Sequence, residues 1–104
     1  MIIFVYQLTL DTDEIYIGMT NNPERRRQDH EKGAGSIWTK GKKILDMQIL
    51  WTGPVANRHQ ALLIENTWAE RTRKNNFEKK VLGGYLSARY KKIILRKAMR
   101  RASR

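Results

Sequence analysis

The spacing of apolar residues divides the chain into predicted strands and helices. Residues 2–10 are mostly apolar, with β-branched and aromatic types, and predict a buried strand. A polar turn at residues 11–14 separates this strand from a second one at residues 15–19. Residues 46–52 alternate between apolar and polar and predict a third strand, which ends at the Gly-Pro pair that follows.

The first turn decides which side chains of the predicted hairpin share a face. If the turn centres on Thr12, Tyr6 lies opposite Gly18. Tyr16 then lies opposite Leu8, so the two tyrosines become diagonal neighbours on one face of the hairpin. Gly18 would leave room beside Tyr6 for a ligand to approach the backbone.

Two helices have clear start signals. Asn22 is a capping residue, and Pro23 occupies the first helical position, so a helix is predicted to run to about residue 32. A capping box begins at Asn57 and predicts a second helix over about residues 58–73.

The last quarter of the chain predicts two further helices. One is a short segment at residues 77–82, which a pair of glycines ends, and the other is a basic amphipathic helix at about residues 86–101. We therefore expect one domain over residues 1–82, with residues 83–104 as a basic helical extension of it.

Composition narrows the range of partners. At 104 residues the chain is one small domain, and without cysteine it has neither disulfides nor thiolate metal sites. The formal net charge of +11 favours polyanions, above all nucleic acid, over an anionic membrane surface or a merely solvated tail. Since neither a membrane-spanning run nor a secretory signal is recognisable, we expect a cytoplasmic, DNA-associated protein.

Glu65 is an acidic residue inside an apolar helical stretch. Its neighbours three and four residues away are all apolar, so burial of its carboxylate needs a partner. That partner is either a basic side chain such as Arg58 or Arg71, or a hard divalent cation. Mg²⁺ often binds only one or two carboxylates besides water and phosphate oxygens. The spacing alone does not decide between the two.

Arg26 and His30 are four residues apart in the first predicted helix, so they share a face, which Arg25 and Arg27 flank. A guanidinium suits a phosphate whose charge grows in a transition state, and a histidine can relay a proton near neutral pH. A solvated basic helix face is the commoner explanation of such a pattern.

Tyr6 and Tyr16 allow two interpretations. Each can be a core residue with one end in water. Alternatively, a phenol lies beside a phosphate, where Arg26, a lysine or a metal would lower its pKa from the usual value of about 10. Tyr6 could then take a proton from an attacking water.

Taken together, these residues resemble the signature of the GIY-YIG nuclease superfamily. The first signature is reduced to its tyrosine, because Phe4 and Val5 stand where the family has Gly and Ile. The resemblance covers about residues 2–70 and depends on Tyr6, Tyr16, Ile17, Gly18, Thr20, Asn22, Arg26, His30 and Glu65. The segment is most similar to small single-domain bacterial members and to the catalytic domain of a structure-selective junction and flap endonuclease.

The resemblance implies an α+β fold, in which helices flank a small central antiparallel sheet of three strands, here with an added basic C-terminal helix. It also implies hydrolysis of DNA phosphodiester bonds with Mg²⁺ or Mn²⁺ as cofactor. Tyr6 would be the general base or orient the water, and Tyr16 would position it. Arg26 would stabilise the pentacoordinate phosphate, His30 would assist proton movement or hold the phosphate, and Glu65 would bind the metal.

Basic residues outside this set are expected to bind DNA through its phosphates. They are Arg25, Arg27, Lys40, Lys42, Lys43, Arg89, Lys92 and Arg96. The preferred interpretation is a structure-selective endonuclease of DNA repair, recombination or processing, in which Lys40 or Lys42 adds charge near the phosphate. The alternatives are a nucleic-acid-binding module that keeps the fold without cutting, and a basic structural protein of a ribonucleoprotein.

Overall fold

Our computed structural model describes residues 1–76 and 78–83 of the chain. They form four strands and two helices, joined by loops. The elements are β1 (Ile2–Leu10), β2 (Glu14–Thr20), α1 (Pro23–Glu31), β3 (Ile44–Pro54), α2 (Arg58–Asn75) and β4 (Lys80–Gly83). This order confirms the α+β class, the three predicted strands and both capped helices.

The sheet has four strands in the order β3-β1-β2-β4. Strands β1, β2 and β3 are antiparallel as predicted, whereas β4 is a fourth strand that runs parallel to β2. The helix predicted for residues 77–82 is therefore wrong. Val81 and Leu82 are both buried but belong to clusters on opposite faces of the sheet, and a segment this short shows no reliable period.

The basic helix predicted for residues 86–101 lies outside the described residues. The same holds for three of the residues expected to bind DNA, namely Arg89, Lys92 and Arg96. Their roles stay predictions. Among the described helices, none is both long and apolar enough to cross a membrane.

The hairpin register is the predicted one. Tyr6 pairs with Gly18, and Leu8 pairs with Tyr16. The turn closes with a hydrogen bond from the Asp13 backbone N–H to the Leu10 carbonyl, at 3.2 Å. Asp13 has a φ of 63°, a left-handed conformation that aspartate tolerates better than most residues.

The two faces of the sheet have different coverings. Odd-numbered positions of β1 and β2 pack with apolar residues of α2; the cluster comprises Ile3, Val5, Ile15, Ile17, Val55, Ala61, Ala69 and Val81. On the other face, Tyr6, Leu8, Leu10 and Leu82 form a second cluster, against which Tyr16 packs. The alternation of side chains along a strand thus separates α2 from the face that carries the tyrosines.

Strand β3 carries a bulge beside Tyr6. Val5 pairs with Trp51 and Tyr6 pairs with Ile49, so one residue of β3 is left over between them. Because one extra residue reverses the alternation, Trp51 packs on the α2 side while Met47 packs on the tyrosine side. The sequence pattern predicted the strand but not this change of face.

Candidate active site

Tyr6, Tyr16 and His30 meet on the face of the sheet opposite α2. The ring centroids of the two tyrosines are 6.2 Å apart, and that of His30 lies 5.7 Å from Tyr6 and 5.3 Å from Tyr16. Helix α1 begins at the Asn22 cap, whose side chain accepts a hydrogen bond from the Arg25 backbone N–H. His30, near the end of α1, is the one buried side chain of this helix.

Two glycines make this close approach possible. A Cβ on Gly18 would collide with the phenol of Tyr6 and approach the ring of Tyr16. A Cβ on Gly35 would similarly overlap the imidazole of His30. Any side chain at either position would displace a ring. The space that the sequence predicted at Gly18 for a ligand is instead occupied by the phenol of Tyr6.

A chain of hydrogen bonds starts at Tyr6. Its phenol oxygen lies 2.8 Å from His30 Nε2, and His30 Nδ1 lies 2.8 Å from Thr39 Oγ1. Thr39 Oγ1 is also 3.3 Å from the backbone carbonyl of Ser36, which only accepts. The single hydroxyl proton of Thr39 therefore points to Ser36, and Thr39 accepts from His30 Nδ1–H.

The protonation of His30 follows from its surroundings. Burial, with a smaller effect of the Arg26 charge, lowers the pKa of His30 to about 4, so the ring is neutral at pH 7. A neutral imidazole has one N–H, which Thr39 holds at Nδ1. Nε2 is then an acceptor, and the Tyr6 hydroxyl donates its proton to it.

The phenol of Tyr6 is less acidic than the sequence suggested. Arg26 does act to lower its pKa, as expected, but burial outweighs this effect and raises the pKa of Tyr6 far above 10. Neighbouring Tyr16 and the charge of Glu65 raise the pKa further. Tyr6 is therefore a neutral phenol at rest, and the expected lowering of its pKa was wrong because the ring is 1% exposed.

Tyr16 has a similar but milder environment. Burial raises its pKa, while a hydrogen bond with the Ser36 side chain and the charge of Arg26 oppose the increase. Its ring is only partly buried, so one edge stays in contact with water. Of the two phenols, Tyr16 is the more exposed to solvent.

Glu65 lies in the buried stripe of α2, and its side chain is 7% exposed. Its negative charge contributes to raising the pKa of both Tyr6 and Tyr16, although α2 packs on the opposite face of the sheet from the two rings. Arg71, one of the basic partners considered for it, lies over the ring of Trp68, with 4.7 Å between the guanidinium carbon and the ring centroid.

The donor set around Glu65 fits one kind of metal. In the described part of the chain, no group of three or more His, Cys, Asp or Glu side chains converges. Zinc sites need such a group, whereas Mg²⁺ and Mn²⁺ are hard cations that accept one carboxylate together with water and substrate oxygens. A single buried carboxylate is compatible with the latter mode.

A polar cleft opens beside the pocket at the start of α1. It is lined by Thr20, Asn21, Asn22, Arg25, Arg26 and Asp29. Arg26 belongs to this cleft and also acts on the pKa values of Tyr6, Tyr16 and His30. The charge of Arg26 therefore reaches the rings from the cleft, and Arg25 lines the same opening. Phosphate binding by Arg26 stays a prediction.

The other basic residues predicted to bind DNA differ in whether they form an ion pair with a carboxylate and in how exposed they are. Lys42 Nζ lies 2.7 Å from a carboxylate oxygen of Glu14, and Arg27 pairs with Glu31 at 3.2 Å. Lys40 and Lys43 are exposed. Of the two lysines proposed near the phosphate, Lys40 therefore has the better access to a ligand.

The support that the loop after α1 gives to His30 was not predicted from the sequence. Thr39 is fully buried and bonded to the ring, Gly35 makes space for it, and Ser36 joins Thr39 to Tyr16. No signal in the sequence pointed to this support, because threonine is common in exposed loops and nothing local links residue 39 to residue 30. The contact exists because the loop folds back over α1.

We expect Thr39→Val to disturb His30 without unfolding the protein. Valine matches threonine in shape but cannot accept the Nδ1–H, so the preference of roughly 1 kcal/mol for this tautomer should be lost or reversed. ¹⁵N NMR of the histidine ring distinguishes the two tautomers directly. Thr39→Ser keeps the hydroxyl and should keep the Nδ1–H form; a Nδ1–H form that persists in Thr39→Val would contradict the assignment.

Comparison with known proteins agrees with this geometry. The protein is similar to the "UPF0213 protein YhbQ" of Escherichia coli O127:H6, with 34% identity over 62 residues, which are 60% of each chain. It is also similar to the "Uncharacterized protein L300" of Acanthamoeba polyphaga mimivirus, with 32% identity over 79 residues, 72% of this chain and 46% of the relative. A "UPF0213 protein" of Limosilactobacillus reuteri is 28% identical over 71 residues, 68% of this chain and 74% of the relative.

The chain thus spans less than half of the viral relative and three-fifths of the Escherichia coli one. No solved structure matches it significantly. The model of the GIY-YIG catalytic domain matches residues 2–80, which include every residue of the pocket described above. The chain therefore belongs to the GIY-YIG catalytic domain family.

Proposed function

We propose that this protein is a DNA endonuclease that hydrolyses phosphodiester bonds with the help of a divalent cation. The observation that carries the proposal is the hydrogen bond from Tyr6 to a neutral His30, in a pocket that Arg26 and Glu65 also influence. The family points to the same chemistry, and the net charge of +11 favours the polyanionic substrate.

Tyr6 and His30 would act together on the attacking water. As the water oxygen forms its bond to phosphorus, one of its protons moves to Tyr6 Oη. The phenol simultaneously passes its own proton to His30 Nε2, and one P–O ester bond breaks. The leaving oxygen would take a proton from solvent and depart as an alcohol. This relay explains how a phenol with a raised pKa can serve as a base, because Tyr6 never has to become a free phenolate.

The resulting imidazolium needs support, since burial and Arg26 disfavour it at rest. A bound phosphodiester supplies a negative charge beside the ring and compensates Arg26, so proton acceptance by His30 becomes easier when substrate is present. In this way the relay would be active mainly in the complex.

The other side chains have separate tasks. Arg26 would bind the non-bridging phosphate oxygens, whose charge grows during the reaction. Tyr16, with one edge open to water, would orient the nucleophile. Glu65 would hold Mg²⁺ or Mn²⁺, which supplies positive charge at the phosphate when bound. We further propose that the protein selects DNA by its structure and acts in DNA repair, recombination or processing inside the cell.

A cleavage assay tests the proposal directly. Purified protein is incubated with end-labelled flap, four-way junction, duplex and single-stranded DNA, with Mg²⁺ or Mn²⁺ and with EDTA. We expect specific cuts in at least one branched substrate with metal and none with EDTA. Tight binding to these DNAs without any cut would instead favour the non-catalytic nucleic-acid-binding module.

A further inference from the structure

A tight turn beside the pocket has apolar residues at its centre. The backbone N–H of Thr39 donates to the carbonyl of Ser36 at 3.3 Å, which closes a four-residue turn around Ile37 and Trp38. Such positions normally hold Gly, Pro, Asn, Asp or Ser because of their backbone preferences. Ile and Trp are not among these residues, so the turn alone does not explain their presence.

Both ends of this turn are attached to the rings of the pocket. Thr39 Oγ1 lies 2.8 Å from His30 Nδ1, and the Ser36 side chain bonds to Tyr16. The Trp38 backbone N–H also donates to Ser36 Oγ at 3.1 Å. Since consecutive Cα atoms are only about 3.8 Å apart, Ile37 and Trp38 are fixed next to the site where the phosphate would react.

The two central side chains are nevertheless open to solvent. Ile37 is 83% exposed and Trp38 is 46% exposed, although Thr39 beside them is fully buried. An exposed tryptophan next to an exposed isoleucine is an unfavourable surface unless a ligand covers it. Lys40 follows directly and is exposed, so a positive charge adjoins the apolar pair.

We propose that Ile37 and Trp38 form a base-stacking wedge, and that the substrate is DNA with an unpaired base next to the scissile phosphate. The proposal rests on the proposed function and specifies its substrate class. A base in a duplex is already stacked on both sides and cannot cover Trp38. An unpaired base at a flap, gap or junction offers a free π-face, and its backbone supplies phosphates for Lys40.

Charge favours this occupant over a second copy of the chain. The protein has a formal charge of +11, which disfavours self-association through a surface that adjoins Lys40. A base attached to a polyanion combines the aromatic face and the negative charge that this surface complements. The wedge would also explain selection by structure without base-specific hydrogen bonds.

Binding measurements separate the wedge from catalysis. Affinities are measured in EDTA for two DNAs of identical sequence, a continuous duplex and a flap with an unpaired base at the branch. We expect Trp38→Ala to weaken flap binding about tenfold and duplex binding hardly at all, and Trp38→Phe to restore most of the loss. Leu63→Ala serves as the matched control, because it also removes an exposed apolar side chain, but one that lies on α2 and not in the turn.

A fluorescent base gives a second readout. 2-Aminopurine placed at the branch should be quenched by the wild type and by Trp38→Phe, but not by Trp38→Ala. Equal losses of affinity for the flap and the duplex in Trp38→Ala, or unchanged 2-aminopurine quenching by that variant, would overturn the wedge. So would sedimentation showing a wild-type dimer that Trp38→Ala dissociates. These results do not depend on cutting, whereas absence of metal-dependent cleavage by the wild type would reject the nuclease proposal itself.

Discussion

Glu65→Gln should reduce metal-dependent cleavage by about 10²–10³-fold or more while leaving DNA affinity nearly unchanged. Glutamine has almost the same shape but lacks the negative charge that a hard cation requires. Glu65 offers no positive charge to DNA phosphates, so binding should persist. Single-turnover cleavage rates and fluorescence-anisotropy titrations of the same flap DNA measure the two quantities separately.

Glu70→Gln is the matched control for this change. Glu70 lies on the same helix, is half-buried, and pairs with Arg73 at 3.4 Å. The Glu70→Gln variant should cleave at the wild-type rate. Thermal unfolding of both variants checks the fold. Parallel losses of cleavage and binding in Glu65→Gln, with the fold intact, would count against a metal role and favour a structural one.

Tyr6→Phe is expected to slow cleavage by about 10²–10⁴-fold, the range that general acid–base groups contribute. It removes the oxygen that would receive the proton of water and pass a proton to His30. The variant should also lose about 1–3 kcal/mol of unfolding free energy, because the buried Nε2 of His30 then lacks its donor. Denaturant unfolding and single-turnover rates measure both effects.

A double-mutant cycle distinguishes the relay from two independent contributions. If Tyr6 and His30 act as one unit, adding His30→Gln to Tyr6→Phe should cost little further activity. Independent roles would make the two rate losses multiply. Multiplying losses, or a Tyr6→Phe variant with the wild-type rate, would remove the relay from the mechanism.

The sequence predicted those parts of the fold that local signals determine. The register of Tyr6 against Gly18 followed from the alternation and the turn, and helix α1 followed from Asn22 and Pro23. These signals lie within a few residues of the structure they specify. The family signature then identified the residues of the pocket, although their separate roles stay proposals.

Features that depend on distant contacts were not predictable. Strand β4 exists because residues 80–83 pair with β2, which no pattern in four residues can indicate. The bulge beside Tyr6 depends on how β3 docks on β1. The pKa of Tyr6 was misjudged because the sequence showed a nearby cation but not the depth of burial, which proved the larger effect.

The division of the sheet into two differently covered faces has a consequence for engineering. Along β2, Ile15 and Ile17 pack under α2, while Tyr16 and Gly18 face the rings. Robustness and chemistry are therefore encoded by interleaved residues of the same strand, with one set hidden from any substrate. The melting temperature can therefore be raised by redesigning only the residues packed under α2, without changing the residues that face the rings.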